Sequence, residues 1–438
     1  MTTVTRRTLN RRGFLGLAGA GAVGAGLALV GCAPSSGGSP AGSSGSDSGG
    51  ETIGGDFTFA SWSLSEEAAE PTVQGLIDTY STANGGVVTG VSYPYNDYLN
   101  QLLLQVRGGE FTGAAQLDIA WLATLASLGK LRDLGEVAEG RGYTDTALAS
   151  GQVDGTQYGL PWATGAVGPI ANQAFLDQAG VTEHPATIAD FEAALREIKK
   201  LGNGIIPYAA MTKAAQLKDI FIWMETFGSP LVEGDETTIG DDASVEAVAW
   251  YKRLYDEGLI AADIDRFDAR ALFSQGRVAV YDDAIASKSK VVADATDPSL
   301  VDTITPMVRP VLKAGDTPRS LLWGYVVTVV DGEGADPAAG FAQWLTSDPE
   351  ASARYFDELF LPPTTEEALA SDAVQGDEFT TLFTERITAT ATPSPFWWFP
   401  QYIQMESVVA EQVQAVLVGT ASPADAMKTA GDAVQALM

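Results

Sequence analysis

Residues 56–62 read Asp-Phe-Thr-Phe-Ala-Ser-Trp, an alternation of period two that predicts a β-strand. The segments that follow continue a regular pattern: a helix from Glu66 to Tyr80, a β-branched strand from Val87 to Tyr93, a helix from Tyr98 to Val106 and an apolar strand from Gln116 to Trp121. This alternation predicts an α/β domain with a mainly parallel sheet. Ligands of such sheets bind beyond the carboxyl ends of the strands.

The middle and the end of the chain continue in the same way. Thr187 and Asp190 have the spacing of a capping box, which predicts a helix that Gly202 ends. Further segments predict a helix with Val245, Val248, Tyr251 and Leu254 on one face, strands at Val278–Tyr281 and Leu321–Val330, and a last helix that opens at Ser422-Pro423. No internal repeat of fixed period is present.

Composition excludes several classes of protein. The 438 residues include 26 Lys+Arg and 56 Asp+Glu, giving a net charge of −30, which repels phosphate backbones and argues against nucleic-acid binding. One Cys and one His exclude an internal disulfide and a Cys/His zinc site. A hydrophobic fraction of 45% with 19% charged residues is typical of a globular protein, and the length suggests two or more domains.

Residues 1–31 are predicted to be a secretory signal. They contain four arginines and no acidic residue, followed by an apolar run from Phe14 to Val30. Residues 10–15, Asn-Arg-Arg-Gly-Phe-Leu, resemble the twin-arginine export pattern, and residues 29–32, Leu-Val-Gly-Cys, resemble the bacterial lipobox. In that motif Cys32 becomes the lipidated N-terminus, with palmitate among the expected acyl chains. The alternative, a permanent transmembrane anchor, is disfavoured by the Gly/Ala content and shortness of the run.

Residues 32–51 consist of the cysteine and a tether. Their Ser, Gly, Pro and Ala content is typical of a flexible linker. Removal of residues 1–31 with their four arginines changes the net charge from −30 to −34. We therefore expect an exported globular body, lipid-anchored to the outer face of the cell membrane.

Several segments, in order, resemble one family: the extracellular solute-binding proteins of bacterial ABC importers, in particular the carbohydrate-binding group that includes maltose-binding protein. The resemblance rests on residues 93–103, 117–121 with 126–134, 154–162, 172–175 with 179–181 and Pro185, 250–258 and 273–281. The sequence departs from the family pattern at Ala171-Asn172, where the family more often has aromatic residues before the Asn. Together the similar segments span most of residues 55–438.

The resemblance implies a two-lobed α/β fold made of two discontinuous domains joined by a hinge. By analogy, lobe one comprises 52–161 plus 306–333, and lobe two comprises 164–304 plus 335–438. A ligand would bind in the interlobe cleft and favour a closed state. The resemblance also implies ABC permease subunits as membrane partners, a monomer, no cofactor and no enzymatic activity.

Tryptophans are the candidate sugar-stacking residues, because an indole offers a flat apolar face with one N–H donor. The chain has nine tryptophans, of which Trp250 and Trp344 fall within helix patterns and are interpreted as core. The candidates for ligand contact, at strand ends or in loops, are Trp62, Trp121, Trp162, Trp323 (beside Gly324), Trp397 and Trp398. For each of them a core position is an equal alternative.

Polar candidates lie next to these aromatic positions, because buried sugar hydroxyls need hydrogen-bond partners. Ser63 and Glu66 follow the first strand, Thr164 lies at the predicted hinge, and Asp282-Asp283 follows the strand Val278–Tyr281. A solvated turn is the alternative for the aspartate pair. Asp263, Asp265 and Asp268 have alternate acidic spacing but lack the glycine and glutamate of an EF-hand, so no metal site is predicted.

Two functions from different classes fit the sequence. The first is a lipid-anchored substrate-binding subunit that captures a mono- or oligosaccharide and delivers it to a permease. The second is an extracellular carbohydrate-active hydrolase, for which paired carboxylates would be the catalytic groups. A third hypothesis keeps the binding fold and replaces the sugar with another solute.

Overall fold

The computed structural model describes residues 54–438, except the side chain of Gln216. The predicted signal peptide (1–31) and the predicted lipidated Cys32 with its linker (32–51) lie outside the described residues. The strands are β1 (Phe57–Ala60), β2 (Val88–Val91), β3 (Gly113–Asp118), β4 (Gln152–Val153), β5 (Thr156–Gln157), β6 (Gly159–Asn172), β7 (Ile206–Ala209), β8 (Val232–Glu233), β9 (Glu236–Thr237), β10 (Val278–Ala284), β11 (Ile304–Pro306), β12 (Ser320–Val330) and β13 (Ala391–Thr392).

Helices surround the strands along the whole chain. They are α1 (Glu70–Asn84), α2 (Tyr95–Gly108), α3 (Leu122–Ala126), α4 (Gly135–Ala138), α5 (Asp145–Ala149), α6 (Gln173–Gln178), α7 (Ile188–Lys199), α8 (Ile220–Phe227), α9 (Asp242–Asp256), α10 (Arg266–Ser274), α11 (Ser287–Ala293), α12 (Ala335–Ser347), α13 (Pro349–Leu359), α14 (Glu366–Leu369), α15 (Asp372–Gly376), α16 (Glu378–Arg386), α17 (Tyr402–Leu417) and α18 (Pro423–Gln435).

One mixed sheet runs through the molecule in the order β2-β1-β3-β12-β6-β10-β7, with β11 added on β6 and β13 on β12. Pairs β1–β2, β1–β3, β7–β10 and β12–β13 are parallel, whereas β6 and β12 pair antiparallel with each other and with β10, β11 and β3. The predicted parallel pairing is confirmed for β1, β2 and β3, the strands of residues 56–121, but the sheet as a whole is mixed. Its local strand–helix rhythm is real, but the two long strands β6 and β12 run in opposite directions through the middle of the sheet.

Strands β6 and β12 connect the two ends of the sheet. Along β12, Val330 pairs with Gly113 of β3, and Leu321 pairs with Val167 of β6. The β6–β12 register shifts between Tyr325 and Val326, which leaves Trp162 without an opposite residue. Such a bulge bends and twists a strand. It lies where the sequence resemblance predicts the hinge.

Different helices cover the two ends. At the first end, α12 packs against β1, β3 and β6, and α1 packs against α13. At the second end, α7 packs against β7, α10 packs against β10, and α9 contacts α8, α17 and α18. Each end therefore has its own helical cover, while the sheet is shared.

Local sequence signals explain how several helices begin and end. Thr187 and Asp190 form the predicted capping box of α7, whose apolar face is buried, and Gly202 follows with a positive φ of 68°. Helix α1 begins at Glu70 instead of Glu66, because residues 62–65 form a 3₁₀ turn first and Pro71 occupies the first helical turn. None of the helices within residues 54–438 is long and apolar enough to span a bilayer.

Candidate functional site

Two adjoining cavities between the two ends of the sheet share the side chains of Tyr95 and Lys218, and we call them together the cleft. Their volumes are about 90 Å³ and 180 Å³. The first cavity is lined from β12, α10, α11 and the turn after β1, and the second from α2 and α17. The cleft thus receives side chains from segments far apart in the sequence.

An aromatic cluster forms one side of the cleft. Trp62 lies in the 3₁₀ turn after β1, where the side chain of Ser61 accepts a hydrogen bond from the Ser63 N–H. The Trp62 ring centroid lies 4.9 Å from that of Tyr325 and 5.5 Å from that of Tyr95. The ring centroid of Trp323 lies 4.6 Å from that of Tyr325. Edge-to-face packing of this kind fixes ring orientations, so the cluster is a rigid apolar wall.

Charged side chains form the opposite side. Helix α10 places Arg266 and Arg270 four residues apart, on one face. Arg270 donates from Nε and Nη2 to the two carboxylate oxygens of Asp283, at 2.8 and 3.0 Å. Arg266 donates from Nη2 to Asp219 Oδ1 at 2.5 Å. The bidentate contact holds the Arg270 guanidinium in a fixed plane, whereas Arg266 is held by a single charged hydrogen bond.

One ion pair joins segments assigned to different lobes by the sequence resemblance. Lys290 of α11 donates to Glu66 Oε2 at 2.8 Å, and both side chains are about one quarter exposed. Because Glu66 follows β1 while Lys290 follows β10, this pair spans the first cavity. Its contact holds the two sides of the cleft together.

Burial changes the protonation of groups in the cleft. Burial raises the pKa of Tyr95 well above its usual value, and the nearby Asp118 carboxylate, which accepts a hydrogen bond from the Tyr95 hydroxyl, adds to the effect. Burial also raises the pKa of Glu406 in the second cavity to about 7, while nearby Lys218 opposes the rise. Tyr95 is therefore a neutral hydroxyl at physiological pH, and Glu406 is partly protonated there.

The predicted site residues fall into three groups. Five of them line the first cavity: Trp62, Ser63, Glu66, Asp283 and Trp323. Trp121 lines the second cavity, and Trp397 and Trp398 line a separate apolar groove of about 460 Å³ together with Ile119, Leu122 and Leu322. The remaining four, Trp162, Thr164, Asp282 and Gly324, line none of these three cavities.

The structure gives those four residues other contacts. Trp162 is stacked on Tyr355 with ring centroids 4.3 Å apart. The Thr164 N–H donates to the Pro362 carbonyl, and Gly324 lies against Ala163, whose carbonyl oxygen would be 2.6 Å from an added Cβ. These contacts indicate packing roles.

Asp282 belongs to a buried network. Its carboxylate accepts hydrogen bonds from the Arg309 guanidinium and the Tyr208 hydroxyl, and Arg309 also stacks over Trp223, 4.6 Å from the ring centroid. Asp282 and Arg309 are each about 1% exposed. A buried charge needs a partner, and this pair supplies one.

Sequence reasoning missed the cationic residues of the cleft, among them Lys218, Arg266, Arg270 and Lys290. Arg266 and Arg270 have the spacing of one helical face, which is the sequence signal that could have identified them. Asp265 and Asp268 form a capping box of α10 and an ion pair with Lys213. Within residues 54–438, no group of three His, Cys, Asp or Glu side chains is arranged to hold a metal ion.

Comparison with protein families gives a match over most of the chain. Residues 75–381 match the model of a family described as bacterial extracellular solute-binding protein. No protein of the curated set matches the sequence significantly.

Comparison with solved structures identifies the fold of the chain. The GacH receptor of Streptomyces glaucescens, determined unliganded and with acarbose, is 22% identical, with a TM-score of 0.80 over 88% of this chain and 98% of that one. A solute-binding protein of Thermotoga lettingae bound with α-D-tagatose is 20% identical, with a TM-score of 0.77 over 87% and 98%. Maltose-bound MalE3 of T. maritima is 17% identical, with a TM-score of 0.77 over 88% and 100%. The prediction of a two-lobed α/β binding-protein fold is confirmed.

Proposed function

Because the chain belongs to the bacterial extracellular solute-binding proteins, we propose that it captures a saccharide in the cleft as the substrate-binding subunit of an ABC importer. The observation that carries the proposal is the make-up of the cleft. Trp323 and Tyr325, the second of which packs against the buried Trp62, offer aromatic surface, and Glu66 and Arg270 offer polar groups within the same cavity. Sugars combine flat C–H faces with a rim of hydroxyls, so they match a site of this composition.

Structural neighbours support a sugar over other solutes. The neighbours described above were determined with acarbose, α-D-tagatose and maltose. We propose a mono- or oligosaccharide for this chain on the same basis. The cycle is binding, closure and release to the permease, with no chemical step.

The N-terminal sequence supports a tethered position. The family is extracellular, which places the body outside the cytoplasm. We further propose that a twin-arginine signal exports the chain, that Cys32 carries the lipid, and that residues 33–51 tether a monomeric body to the membrane near its permease.

We propose one adjustment to the lobes expected from the sequence. Lobe one was expected to comprise 52–161 plus 306–333, and lobe two 164–304 plus 335–438. Helices α12 and α13 pack against β1, β3 and α1, which are lobe-one elements. This packing supports assigning residues 335–359 to lobe one.

A ligand screen tests the proposed function. The globular part of the chain, residues 54–438, is mixed with candidate ligands: neutral and charged mono- and oligosaccharides, amino acids, peptides and polyamines. Thermal unfolding is then followed for each mixture. We expect a saturable rise in the melting temperature with at least one saccharide, with the saccharide recovered unchanged by chromatography. Cleavage of the saccharide would instead favour a hydrolase. A response only to a non-sugar solute would contradict the saccharide proposal and keep the binding fold.

A further inference from the structure

The cleft is rich in cations although the chain is strongly acidic. Lys218, Arg266, Arg270 and Lys290 all line its first cavity. The whole chain has 26 basic residues against 56 acidic ones, so four cations at one cavity run against the composition. The carboxylates that line the two cavities are Glu66, Asp283 and Glu406.

Three of the four cations are paired with carboxylates. Lys290 contacts Glu66 at 2.8 Å, Arg270 contacts Asp283 at 2.8 Å, and Arg266 contacts the buried Asp219 at 2.5 Å. The Nε of Arg266 is nevertheless buried and has no hydrogen-bond partner within residues 54–438. One donor of this paired guanidinium is therefore unsatisfied, although it is itself buried.

Lys218 differs from the other three cations. It lies in the 3₁₀ turn Ala214–Asp219 and lines both cavities. Within the described part of the chain, no carboxylate oxygen lies within 4.0 Å of it. Glu406 shares the second cavity, but burial raises its pKa to about 7, so it supplies only part of a negative charge near neutrality.

We infer that the saccharide bound in this cleft carries an anionic group, a carboxylate or a phosphate, that pairs with Lys218. The inference rests on the proposed saccharide-binding function and names the class of saccharide. A neutral sugar could accept a hydrogen bond from Lys218 but would leave it without a directly paired anion, with only the more distant Asp219 and Glu406 to balance its charge. An anionic sugar forms charge-assisted hydrogen bonds there, which are roughly twice as strong as neutral ones.

Paired ligands provide the test. Calorimetric titration compares galacturonic acid with galactose, glucuronic acid with glucose, and glucose 6-phosphate with glucose, each also as an oligomer where one exists. We expect at least one anionic member to bind roughly tenfold tighter or more than its neutral counterpart, with the difference shrinking as sodium chloride is raised. Preference for uronic acids identifies a carboxylate ligand, and preference for the phosphate sugar identifies a phosphate ligand.

Variants of Lys218 test whether this residue causes the preference for anionic sugars. Lys218→Met is expected to remove the difference between the anionic sugar and its neutral counterpart, whereas Lys218→Arg keeps it. Lys313→Met, at an exposed lysine outside the cleft, is the matched control and should keep the full preference. An anionic preference that survives in Lys218→Met overturns the inference.

The outcomes separate the inference from the proposed function. Neutral sugars that bind as tightly as anionic ones overturn the inference and leave saccharide binding intact. If no saccharide of either kind binds, the proposed function fails, and the inference fails with it.

Discussion

Trp323 lies in the first half of β12 and lines the first cavity beside Tyr325. If a sugar stacks there, removal of the indole removes its largest apolar contact. We expect Trp323→Ala to weaken saccharide binding by about 1 kcal/mol or more, measured by calorimetric titration.

Trp398 is the comparison for that measurement. It is 58% exposed and lines the separate apolar groove instead of the cleft. With a monosaccharide, Trp398→Ala should change affinity little. Unchanged affinity in Trp323→Ala with a clear loss in Trp398→Ala would mean that the sugar binds in the groove.

Glu225 makes stability depend on pH. Burial raises its pKa to about 7, although Arg319 and Arg309 oppose the rise. Between pH 4.5 and 7 the folded protein therefore holds a proton that the unfolded chain has released, so stability falls as pH rises through this window. We therefore compare the free energy of unfolding of Glu225→Gln with that of the wild type. We expect this difference to shift in favour of the variant by roughly 2–3 kcal/mol from pH 5 to pH 8.

Urea unfolding of Glu225→Gln and the wild type at both pH values measures this gain. Glu246→Gln, at an exposed position of α9, is the matched control, because an exposed carboxylate stays hydrated in both states. A gain in Glu225→Gln that is equal at pH 5 and pH 8 would contradict the prediction.

Site residues could be predicted from the sequence only where their position follows from neighbouring residues in the chain. Trp62 follows β1 directly, so the rule that ligands bind beyond strand ends located it. Asp282 and Asp283 are neighbours in sequence, yet alternation along β10 sends one to Arg309 and the other to Arg270. No sequence pattern around Lys218 indicated a role in binding. Its role depends on the tertiary structure, which leaves it without a carboxylate partner.

At the scale of elements, β6 depends on glycine. A Cβ added to Gly168 would lie 2.4 Å from Cγ2 of the fully buried Ile387. We expect Gly168→Ala to lower the free energy of unfolding by about 1–3 kcal/mol through overpacking. In Ile387→Ala the obstructing atom is gone, so the double variant should be more stable than the sum of the two single losses implies.

A double-mutant cycle in urea measures this coupling. Gly376→Ala is the matched control, because nothing lies within 4 Å of its added Cβ, and it should stay within about 0.5 kcal/mol of the wild type. Strict additivity of Gly168→Ala and Ile387→Ala would show that the two residues do not collide.

The ion pair between Glu66 and Lys290 holds the turn after β1 to α11. Both side chains are about one quarter exposed, so water screens part of the attraction. We expect a double-mutant cycle with Glu66→Gln and Lys290→Met to give a favourable coupling of roughly 0.5–1 kcal/mol that shrinks in high salt. The more exposed pair Lys428–Asp432 serves as the control and should couple more weakly. Zero coupling for Glu66 and Lys290 would mean that their contact does not stabilise the folded protein.

Elements were predicted well where the signal is a short pattern. The capping box at Thr187 and the strand at Leu321–Val330 are both present. Strand direction was not predictable in this way, because pairing partners such as β3 and β12 are separated by almost half of the chain. The mixed sheet follows from those long-range pairings.

At the scale of the whole molecule, charge opposes compactness. The net charge is −30, and loss of the four arginines of residues 1–31 makes it −34. Added salt screens this self-repulsion, because the Debye length falls from about 30 Å at 10 mM to a few ångströms near 1 M. We expect the melting temperature of the unliganded protein to rise by about 2 °C or more between about 10 mM and 500 mM sodium chloride. Potassium chloride should act equally, and a fall in the melting temperature would contradict the prediction.

The two-lobed architecture could be anticipated only through family resemblance. Alternation of strands and helices predicts α/β layers, but it does not say where one lobe stops and another begins. The packing of α12 and α13 against β1, β3 and α1 shows why, since residues that follow β12 return to the first end of the sheet.

The position of β12 has a consequence for how the chain is made. Its partners β3 and β6 leave the ribosome long before Ser320–Val330 has been synthesised. Until then both strands keep an unpaired edge, and such edges promote aggregation. The central sheet can therefore close only late in translation or after it, and the nascent chain needs shelter until β12 has been made.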